Sequence, residues 1–548
     1  MRRVPVAAIV VCILLSCACR AADARHWVEM VPMRDGTKLE TEVYLPKQEV
    51  EEPLGALLHK TCYSGAKDYG WLAEYGYAVV VQYDRGQKGS EGDGRVFVHD
   101  GLGENLDGYD AVEWVAGQSW CSGKVGTFGA SGPGIVQVMM GPSAPPHLAC
   151  QFIVVAGADL YRHAAYPGGV LRKAMISNWL AGFDPINLQL VLENRTYNAF
   201  WEEMNAIPRA GDVACPVYNQ GGWFDCFAQG TVDYFVALSE ASPPELARHH
   251  RLVMGPWTHG YVGMGTVGEI TWPEGAATAG AVSDLDRWAG YWLRADDNGI
   301  PSDPRVTYYT MGAVGEQGAP GCLWRTRDDW PPAHETLRLY LQPRGGLRPR
   351  KPGLFAGATD YAYDPADPCP TRGGANLSIP YGPMDQRPVE ERSDVLVFST
   401  EPLSAPLEVT GRLWMNLAAS TDAADTDFAV RLCDVYPDGR SMLLADGIIR
   451  ARHRISTSRE DFVRAGKAYR YRIDLWSTSY VFNEGHRVRV SVTSSNDPRF
   501  EPNPNNGLTA RDEGEPVVAG SRVHHSRLRP SWLELPVPLD AEYTGGML

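Results

Sequence analysis

Cysteine is scarce in this sequence, at 11 of 548 residues. Eight cysteines follow residue 24, too few for a fold held together by disulfides. Their even number permits some pairing in an oxidising compartment, and buried free thiols fit equally well. The eight are Cys62, Cys121, Cys150, Cys215, Cys226, Cys322, Cys369 and Cys433.

Positive charge is also in deficit, since 51 Lys and Arg face 66 Asp and Glu. The net charge of −15 argues against a nucleic-acid partner. The sequence has no phosphate-binding GxxxxGK[ST] loop and no Cys/His spacing typical of zinc, so we predict neither a metal nor an organic cofactor. The composition is that of a globular protein, and the length predicts two to four domains. The sequence leaves the oligomeric state open.

Long apolar runs are missing as well, apart from a short one near the start. Arg2 and Arg3 precede the apolar stretch 4–15, and Ala22-Asp23-Ala24 follows. This order is typical of a secretory signal, and the stretch is too short for a membrane span. We therefore expect residues 1–24 to be removed and the protein to be periplasmic or extracellular. A lipid anchor at Cys17 is a minor alternative.

The mature sequence shows three kinds of pattern. Apolar strands alternate with helical periods in 25–161 and 210–332, which predicts an α/β core with a parallel sheet. Residues 162–209 are helical, with helices expected at 170–180 and 187–204, and indicate a cap inserted into this core. Short strands that alternate apolar and polar residues fill 333–548 and predict an all-β jelly-roll sandwich.

The sharpest local motif is the glycine-rich segment 125–134, in which a strand meets a helix at Ser131. Small residues around the serine fit a nucleophile elbow, with the Gly132 N–H directed at the oxyanion. Pro133 is tolerated in the first helical turn. Taken alone, the segment also fits a glycine-rich turn with an incidental serine.

Two later residues supply the partners that such a serine needs. Asp225 follows the predicted strand that begins at Val217, and His259 follows the one that begins at Arg251. The order serine, acid, histidine is that of an α/β hydrolase. We expect His259 to move the proton and Asp225 to orient the imidazole. Nearby aromatic residues are candidates for the pocket wall, or equally for the core beneath it: Trp223, Phe224 and Phe227.

Several motifs together resemble one family, which contains cocaine esterase, X-Pro dipeptidyl-peptidases, α-amino acid ester hydrolases and glutaryl-cephalosporin acylases. The resemblance covers nearly all of the mature chain and implies an α/β-hydrolase core, a helical cap and a C-terminal jelly roll. The motifs that carry it are residues 31–36, 83–92, 118–126, 222–225, 255–259, 425–428 and 434–439.

The resemblance implies a second oxyanion donor, and this sequence departs from the family's motifs at several positions near the site. The family's Thr-Pro-Tyr segment matches Thr61-Cys62-Tyr63, which implies that the Tyr63 phenol joins the Gly132 N–H at the oxyanion. Gly132 replaces the family's usual tyrosine, so we expect open space beside the acyl site. Cys226 and Phe227 stand where amino ester hydrolases carry acids that bind an ammonium group. A disulfide between Cys62 and Cys226 is conceivable.

These features predict an exported serine hydrolase that cleaves small esters or amides through an acyl-enzyme. The first alternative is an X-Pro dipeptidyl-peptidase that uses the same triad and a cap carboxylate, such as Glu193, Glu202 or Glu203, to hold the substrate's free amine. The second is a glycan-binding jelly roll on an inactive hydrolase core. Reaction with a fluorophosphonate probe distinguishes the second alternative from both enzymes.

Overall fold

The structure is a computed structural model that describes residues 24–65, 68–260, 262–276 and 281–544. All of the predicted signal segment except Ala24 lies outside the described residues, so the signal stays a prediction. In the part of the chain that is described, no helix is long and apolar enough to cross a membrane.

The N-terminal half forms one mixed sheet in the order β1-β2-β4-β3-β5-β6-β7-β8-β11-β12. β3 to β8 and β11 run parallel. This confirms the predicted parallel α/β sheet, and the hairpin of β1 and β2 opens it. The strands are β1 (Arg25–Pro32), β2 (Lys38–Leu45), β3 (Leu54–Thr61), β4 (Ala78–Tyr83), β5 (Cys121–Ala130), β6 (Leu148–Val154), β7 (Val217–Phe224), β8 (Arg251–Thr258), β11 (Val306–Gly312) and β12 (Leu323–Arg327), while the separate pair β9 (Thr266–Val267) and β10 (Ile270–Thr271) lies between β8 and β11.

Helices cover this sheet because their apolar residues pack against strands that are buried along most of their length. The helix before β5 spans 107–116, and the helix after β5 begins immediately behind Ser131. The helices are α1 (Asp107–Ala116), α2 (Gly132–Met140), α3 (Lys173–Leu180), α4 (Pro185–Glu193), α5 (Ala199–Glu202), α6 (Ala228–Ala241), α7 (Pro244–Ala247), α8 (Ala281–Ala289) and α9 (Arg387–Glu390).

The segment between β6 and β7 is helical, but the helix expected at 187–204 is wrong as one element. It is divided into α4 and α5, each with its own N-terminal cap. The Asp184 side chain accepts a hydrogen bond from the Ile186 N–H at 2.9 Å, and the Asn198 side chain accepts one from the Phe200 N–H at 3.1 Å. A second cap inside the segment favours a new helix start over a continuous helix.

The C-terminal half is the expected sandwich, and its strand pairs are antiparallel except where β14 meets β16. One sheet pairs β14, β16, β21, β18 and β19, and the other is built around the long strand β17, which pairs with β20, β22 and β23. The strands are β13 (His334–Gln342), β14 (Gly346–Arg348), β15 (Ala358–Tyr363), β16 (Leu396–Ser399), β17 (Leu407–Thr421), β18 (Asp427–Val435), β19 (Ser441–Arg450), β20 (Tyr469–Phe482), β21 (Arg487–Thr493), β22 (Ala519–His524) and β23 (Trp532–Pro538).

The sandwich is attached to the hydrolase core at β11 and α6. The end of β11 pairs in parallel with β20, so core and sandwich share a strand. On α6, the Gln229 side chain accepts a hydrogen bond from the Ser477 N–H at 2.7 Å, and Asp233 pairs with Arg412 at 3.0 Å. These contacts hold the helix that follows Asp225. The predicted boundaries at 161/162, 209/210 and 332/333 stay predictions.

Candidate active site

Ser131 occupies a sharp turn between β5 and α2. Its φ of 62° and ψ of −125° are strained for a residue with a side chain, and such strain concentrates at functional sites. The Ser131 N–H donates to the Val154 carbonyl at 3.0 Å, which fixes the turn against β6. A Cβ at Gly129 would lie 2.6 Å from the Pro133 side chain, so the tight turn requires glycine there.

The ends of β7 and β8 bring Asp225 and His259 to this serine. His259 Nε2 lies 2.8 Å from Ser131 Oγ, and His259 Nδ1 lies 2.6 Å from Asp225 Oδ1. The other carboxylate oxygen of Asp225 accepts a hydrogen bond from the Phe227 N–H at 3.0 Å. All three predicted residues are buried. The three therefore form one continuous hydrogen-bonded chain.

The charge on His259 depends on its neighbours. Burial disfavours the imidazolium, yet contacts with Cys226 and Asp225 raise the pKa of His259 above its usual value. Burial also raises the pKa of the Cys226 thiol. Because Cys226 is therefore uncharged at neutral pH, the Asp225 carboxylate is the charge that stabilises protonated His259.

Tyr63 meets the serine from the end of β3, a strand that the sequence reasoning did not identify. Its hydroxyl contacts the Ser131 side chain and the Gly132 backbone N–H. It also accepts a hydrogen bond from the indole Nε1–H of Trp179 on α3 at 3.0 Å. Burial raises the pKa of Tyr63 above its usual value, so its phenol is protonated at neutral pH and has a hydrogen to donate.

Trp179 was not identified from the sequence. It belongs to a helix 116 residues from Tyr63 in the chain, and a single tryptophan on an amphipathic helix is ordinarily a core residue. No local signal marks this contact, which becomes visible only once the inserted helices are packed on the core.

The space beside Gly132 is filled, so the expectation of an opening there is wrong. A Cβ at Gly132 would lie 2.5 Å from Cys62 Sγ and 2.9 Å from the Tyr63 hydroxyl oxygen. Cys62 and Gly132 are thus packed against each other. Any larger residue at 132 displaces Cys62, Tyr63 or both.

The conceivable disulfide between Cys62 and Cys226 is not formed. Both residues are buried free thiols, as are most of the other described cysteines. Cys226 Sγ instead lies 3.4 Å from His259 Nδ1. Asp225, Cys226 and His259 form the one group of three possible metal ligands found in the described parts of the chain.

The three aromatic pocket candidates separate into two groups. The Phe227 ring lies 5.4 Å from the His259 ring and 6.1 Å from the Trp179 ring, between the hydrogen-bonded chain at Ser131 and α3. Trp223 instead donates its indole N–H to the Tyr309 carbonyl at 2.8 Å, in a cluster that also buries Phe224. Trp223 and Phe224 are thus core aromatics under the sheet, and their assignment to the pocket is wrong.

An apolar cavity lies between the core and the inserted helices and shares Trp179 with the site. Its volume is about 40 Å³, enough for a small group only. The described side chains that line it include no acid. None of the three carboxylates suggested to bind an amine lines this cavity, and all three are exposed. Glu193 ends α4, Glu202 ends α5, and Glu203 follows directly after α5. Residues lining the cavity include Val96, Phe97, Ile176, Trp179, Phe200 and Met204.

Comparison with known proteins agrees with this architecture. The family model of the X-Pro dipeptidyl-peptidase (S15 family) matches residues 35–185 and 184–261, and that of the X-Pro dipeptidyl-peptidase C-terminal non-catalytic domain matches residues 298–534. Cocaine esterase of Rhodococcus sp. (strain MB1 Bresler) is 32% identical over 93% of this chain and 97% of its own length.

Solved structures give the same result. An α-amino acid ester hydrolase superposes with a TM-score of 0.80 at 26% identity and covers 95% of this chain and 98% of its own. An aminopeptidase from a marine sediment archaeon, Thaumarchaeota archaeon, superposes with a TM-score of 0.81 over 95% and 98% of the two chains, and at 23% identity it supports the fold alone.

Fold and comparisons together define a serine hydrolase with an α/β-hydrolase core and a C-terminal β-sandwich. More narrowly, the chain belongs to the cocaine esterase and X-Pro dipeptidyl-peptidase (S15) family.

Proposed function

We propose that this protein is an exported esterase that cleaves small neutral esters through an acyl-enzyme on Ser131. The observation that carries the proposal is the continuous chain from Ser131 Oγ through His259 to Asp225, at 2.8 and 2.6 Å. A serine hydroxyl is a weak nucleophile unless an adjacent base removes its proton, and this arrangement supplies the base together with the group that orients it.

In the proposed reaction, Ser131 Oγ attacks the ester carbonyl while His259 Nε2 takes its proton. Asp225 holds the hydrogen on His259 Nδ1 and stabilises the imidazolium. The oxyanion accepts hydrogen bonds from the Gly132 N–H and the Tyr63 hydroxyl. His259 then protonates the leaving alcohol, and water, activated by the same histidine, releases the acid and restores the serine.

Tyr63 suits this role because its hydroxyl is both protonated and held in place. The Trp179 N–H occupies a lone pair of the Tyr63 oxygen, which leaves the phenolic hydrogen free to donate. The hydrogen bond from a neutral donor in a buried site strengthens as negative charge develops on the substrate oxygen. Because it stabilises the transition state more than the ground state, it lowers the activation barrier.

Neutral acyl groups are favoured because the lining of the neighbouring cavity is mostly apolar and includes no acid among the described residues. Its polar members are Asn187 and Arg95, and the charge of Arg95 is paired with Asp93. Phe227, beside His259, extends this apolar surface to the triad. A dipeptidyl-peptidase must pair the free amine of its substrate with an anion, and the three candidate carboxylates are exposed. The esterase activity therefore has better support than the peptidase alternative.

The test is an acyl-panel assay of the mature protein, with Ser131→Ala as the inactive variant and exposed Ser302→Ala as the control. We expect turnover of p-nitrophenyl butyrate and benzoate, little turnover of the p-nitrophenyl ester of alanine, and less of Gly-Pro-p-nitroanilide. Ser131→Ala should lower kcat about 10⁶-fold and abolish fluorophosphonate labelling. Wild-type turnover by Ser131→Ala would refute the mechanism, and cleavage of the dipeptide amide alone would refute the esterase assignment.

Export is proposed from the sequence of residues 1–24. N-terminal sequencing of protein recovered from the periplasm or medium should begin at Arg25. Incorporation of labelled palmitate that is lost in Cys17→Ala would instead identify the lipid-anchored alternative.

A further inference from the structure

Cys226 introduces a third donor atom beside the histidine and the acid. Its Sγ lies 3.4 Å from His259 Nδ1, the nitrogen that contacts Asp225 Oδ1 at 2.6 Å. The three donor atoms lie within 4.8 Å of one another, and all three residues are buried. The thiol has no role in the ester hydrolysis proposed above.

We propose that Asp225, Cys226 and His259 form an inhibitory Zn²⁺ site, in which the ion binds through Asp225 Oδ1, Cys226 Sγ and His259 Nδ1. Inhibition rests on the proposed function, whereas binding of the ion does not. A carboxylate, a thiolate and an imidazole are the three side-chain ligand types of protein zinc sites, and three protein ligands leave a fourth position for water.

One of the donor separations already matches that around a bound ion, and a second requires a small adjustment. Zinc bonds of about 2.0–2.1 Å to nitrogen and about 2.3 Å to sulfur, at tetrahedral angles, separate the two donors by about 3.5 Å. The observed separation of Cys226 Sγ and His259 Nδ1 is 3.4 Å. The separation of 2.6 Å between His259 Nδ1 and Asp225 Oδ1 must widen to about 3.3 Å, a small rotation of the carboxylate.

The charges also match. The Asp225 carboxylate and the Cys226 thiolate together neutralise the two charges of the ion. Zinc displaces protons from thiols, so burial does not keep Cys226 protonated once the metal is bound. Arg172 donates to the Cys226 carbonyl at 2.7 Å, so one cation lies beside the site and opposes the charge of the ion, which the two anionic ligands outweigh.

The proton balance explains why binding inhibits. The thiol releases one proton to water, and the hydrogen on His259 Nδ1 moves to Nε2, so the imidazole stays neutral. With Nε2 protonated and Nδ1 bound to the metal, His259 cannot accept the Ser131 proton. Zinc therefore lowers kcat and blocks reaction with a fluorophosphonate. Because the ligand atoms are buried, we expect inhibition to develop slowly and to be reversed by a chelator.

The first experiment measures inhibition of the mature enzyme by ZnCl₂, normalised to the zinc-free rate of each variant. Cys226→Ala and Cys226→Ser should raise the inhibitory concentration more than tenfold, since loss of a ligand costs at least as much as loss of an outer hydrogen-bond partner. Cys215→Ala, which removes another buried thiol, should stay as sensitive as the wild type. Equal sensitivity of the wild type and the Cys226 variants would overturn the proposal.

The second experiment needs no activity. Ser131→Ala protein is titrated with Cd²⁺, whose thiolate complex absorbs in the near ultraviolet, and bound Zn²⁺ is counted after gel filtration. We expect Ser131→Ala to retain one more Zn²⁺ per chain than Ser131→Ala/Cys226→Ser. With Cd²⁺, we expect Ser131→Ala to show a thiolate absorption band that the double variant lacks. No difference between these proteins would overturn the site, whereas metal binding by a wild type that hydrolyses no ester would contradict the proposed function alone.

Discussion

Different parts of the molecule hold the two sides of Ser131, the proposed nucleophile. On one side, His259 and Asp225 stand at the ends of β8 and β7, adjacent strands of the sheet that also carries Ser131. On the other, Tyr63 extends from β3 but is held by Trp179 of the inserted helices. The position of His259, the proposed base, depends on sheet geometry, whereas that of Tyr63, the proposed oxyanion donor, also depends on how the inserted segment docks.

The two sides should therefore differ in how much change they tolerate. Hydrogen bonds between backbone groups fix the register of parallel strands, so Ser131, Asp225 and His259 keep their spacing as long as the sheet persists. The contact between Trp179 and Tyr63 is one side-chain hydrogen bond across two packed elements. We therefore expect changes at the strand ends to lower kcat more than changes at the contact between Trp179 and Tyr63.

The largest loss of kcat should come from a change to Asp225, at the end of β7. Asp225→Asn leaves the shape of the site but favours the wrong tautomer of His259, so kcat should fall about 10⁴-fold. Steady-state assay with p-nitrophenyl butyrate measures this loss, and the exposed Asp297→Asn is the matched control. A loss below tenfold would mean that Asp225 does not orient His259.

Tyr63→Phe tests the oxyanion donor itself. Removal of one such donor should lower kcat by about 10²–10³-fold with little change in KM, because the hydrogen bond strengthens only as the oxyanion forms. Tyr75→Phe, which changes an exposed tyrosine, should leave kcat unchanged. An unchanged kcat in Tyr63→Phe would leave the Gly132 N–H as the working donor.

Gly132→Ala tests the close packing beside that donor. The added Cβ would lie 2.5 Å from Cys62 Sγ, so Tyr63 and Cys62 must shift, and we expect kcat to fall by about 10²-fold, short of full loss of the donor. Gly353→Ala is the control, because no atom lies within 4 Å of its new Cβ. Gly76→Ala is unsuitable as a control, because the positive φ of Gly76 would strain an alanine. Full activity in Gly132→Ala would show that the neighbours move aside freely.

Trp179→Phe probes the contribution of the inserted helices and should have a smaller effect. It removes one neutral hydrogen bond, worth about 1 kcal/mol, which corresponds to a three- to tenfold loss of kcat. The loss should vanish in a Tyr63→Phe background, because the two residues act through the same hydroxyl. Full additivity in this double-mutant cycle would show that Trp179 acts by another route, such as packing against Phe227.

The smallest expected effect is a shift in the pH dependence of kcat/KM. His259 must be neutral to accept the proton, so kcat/KM falls as the pH drops through the pKa of the free enzyme. The Asp225 carboxylate raises that pKa, which places the acid limb above the value of an unperturbed histidine. Asp225→Asn removes the charge and should move the limb to lower pH. A pH–rate profile in which the limb stays in place or moves to higher pH would contradict this assignment.

Much of the site could be predicted from local sequence, and the reasons are physical. The glycines around Ser131 report a turn that only small residues permit, and the positions of Asp225 and His259 after apolar strands place them at one sheet edge. Tyr63 could be assigned only through its family, because a tyrosine after a strand has no chemical signature of its own. The sequence left Trp223 and Phe224 open between the pocket wall and the core, because closeness to Asp225 in sequence does not show which face a side chain takes.

Local sequence was sufficient to predict the class of fold, the chain order of Ser131, Asp225 and His259, and the β-rich C-terminal half, since these follow from periodicity and turn chemistry over short segments. Three contacts became visible only in the folded chain: Trp179 supports Tyr63, Cys62 occupies the space beside Gly132, and Cys226 reaches His259 Nδ1. Each of these contacts joins residues from separate elements, and packing in three dimensions fixes such contacts while local preference does not.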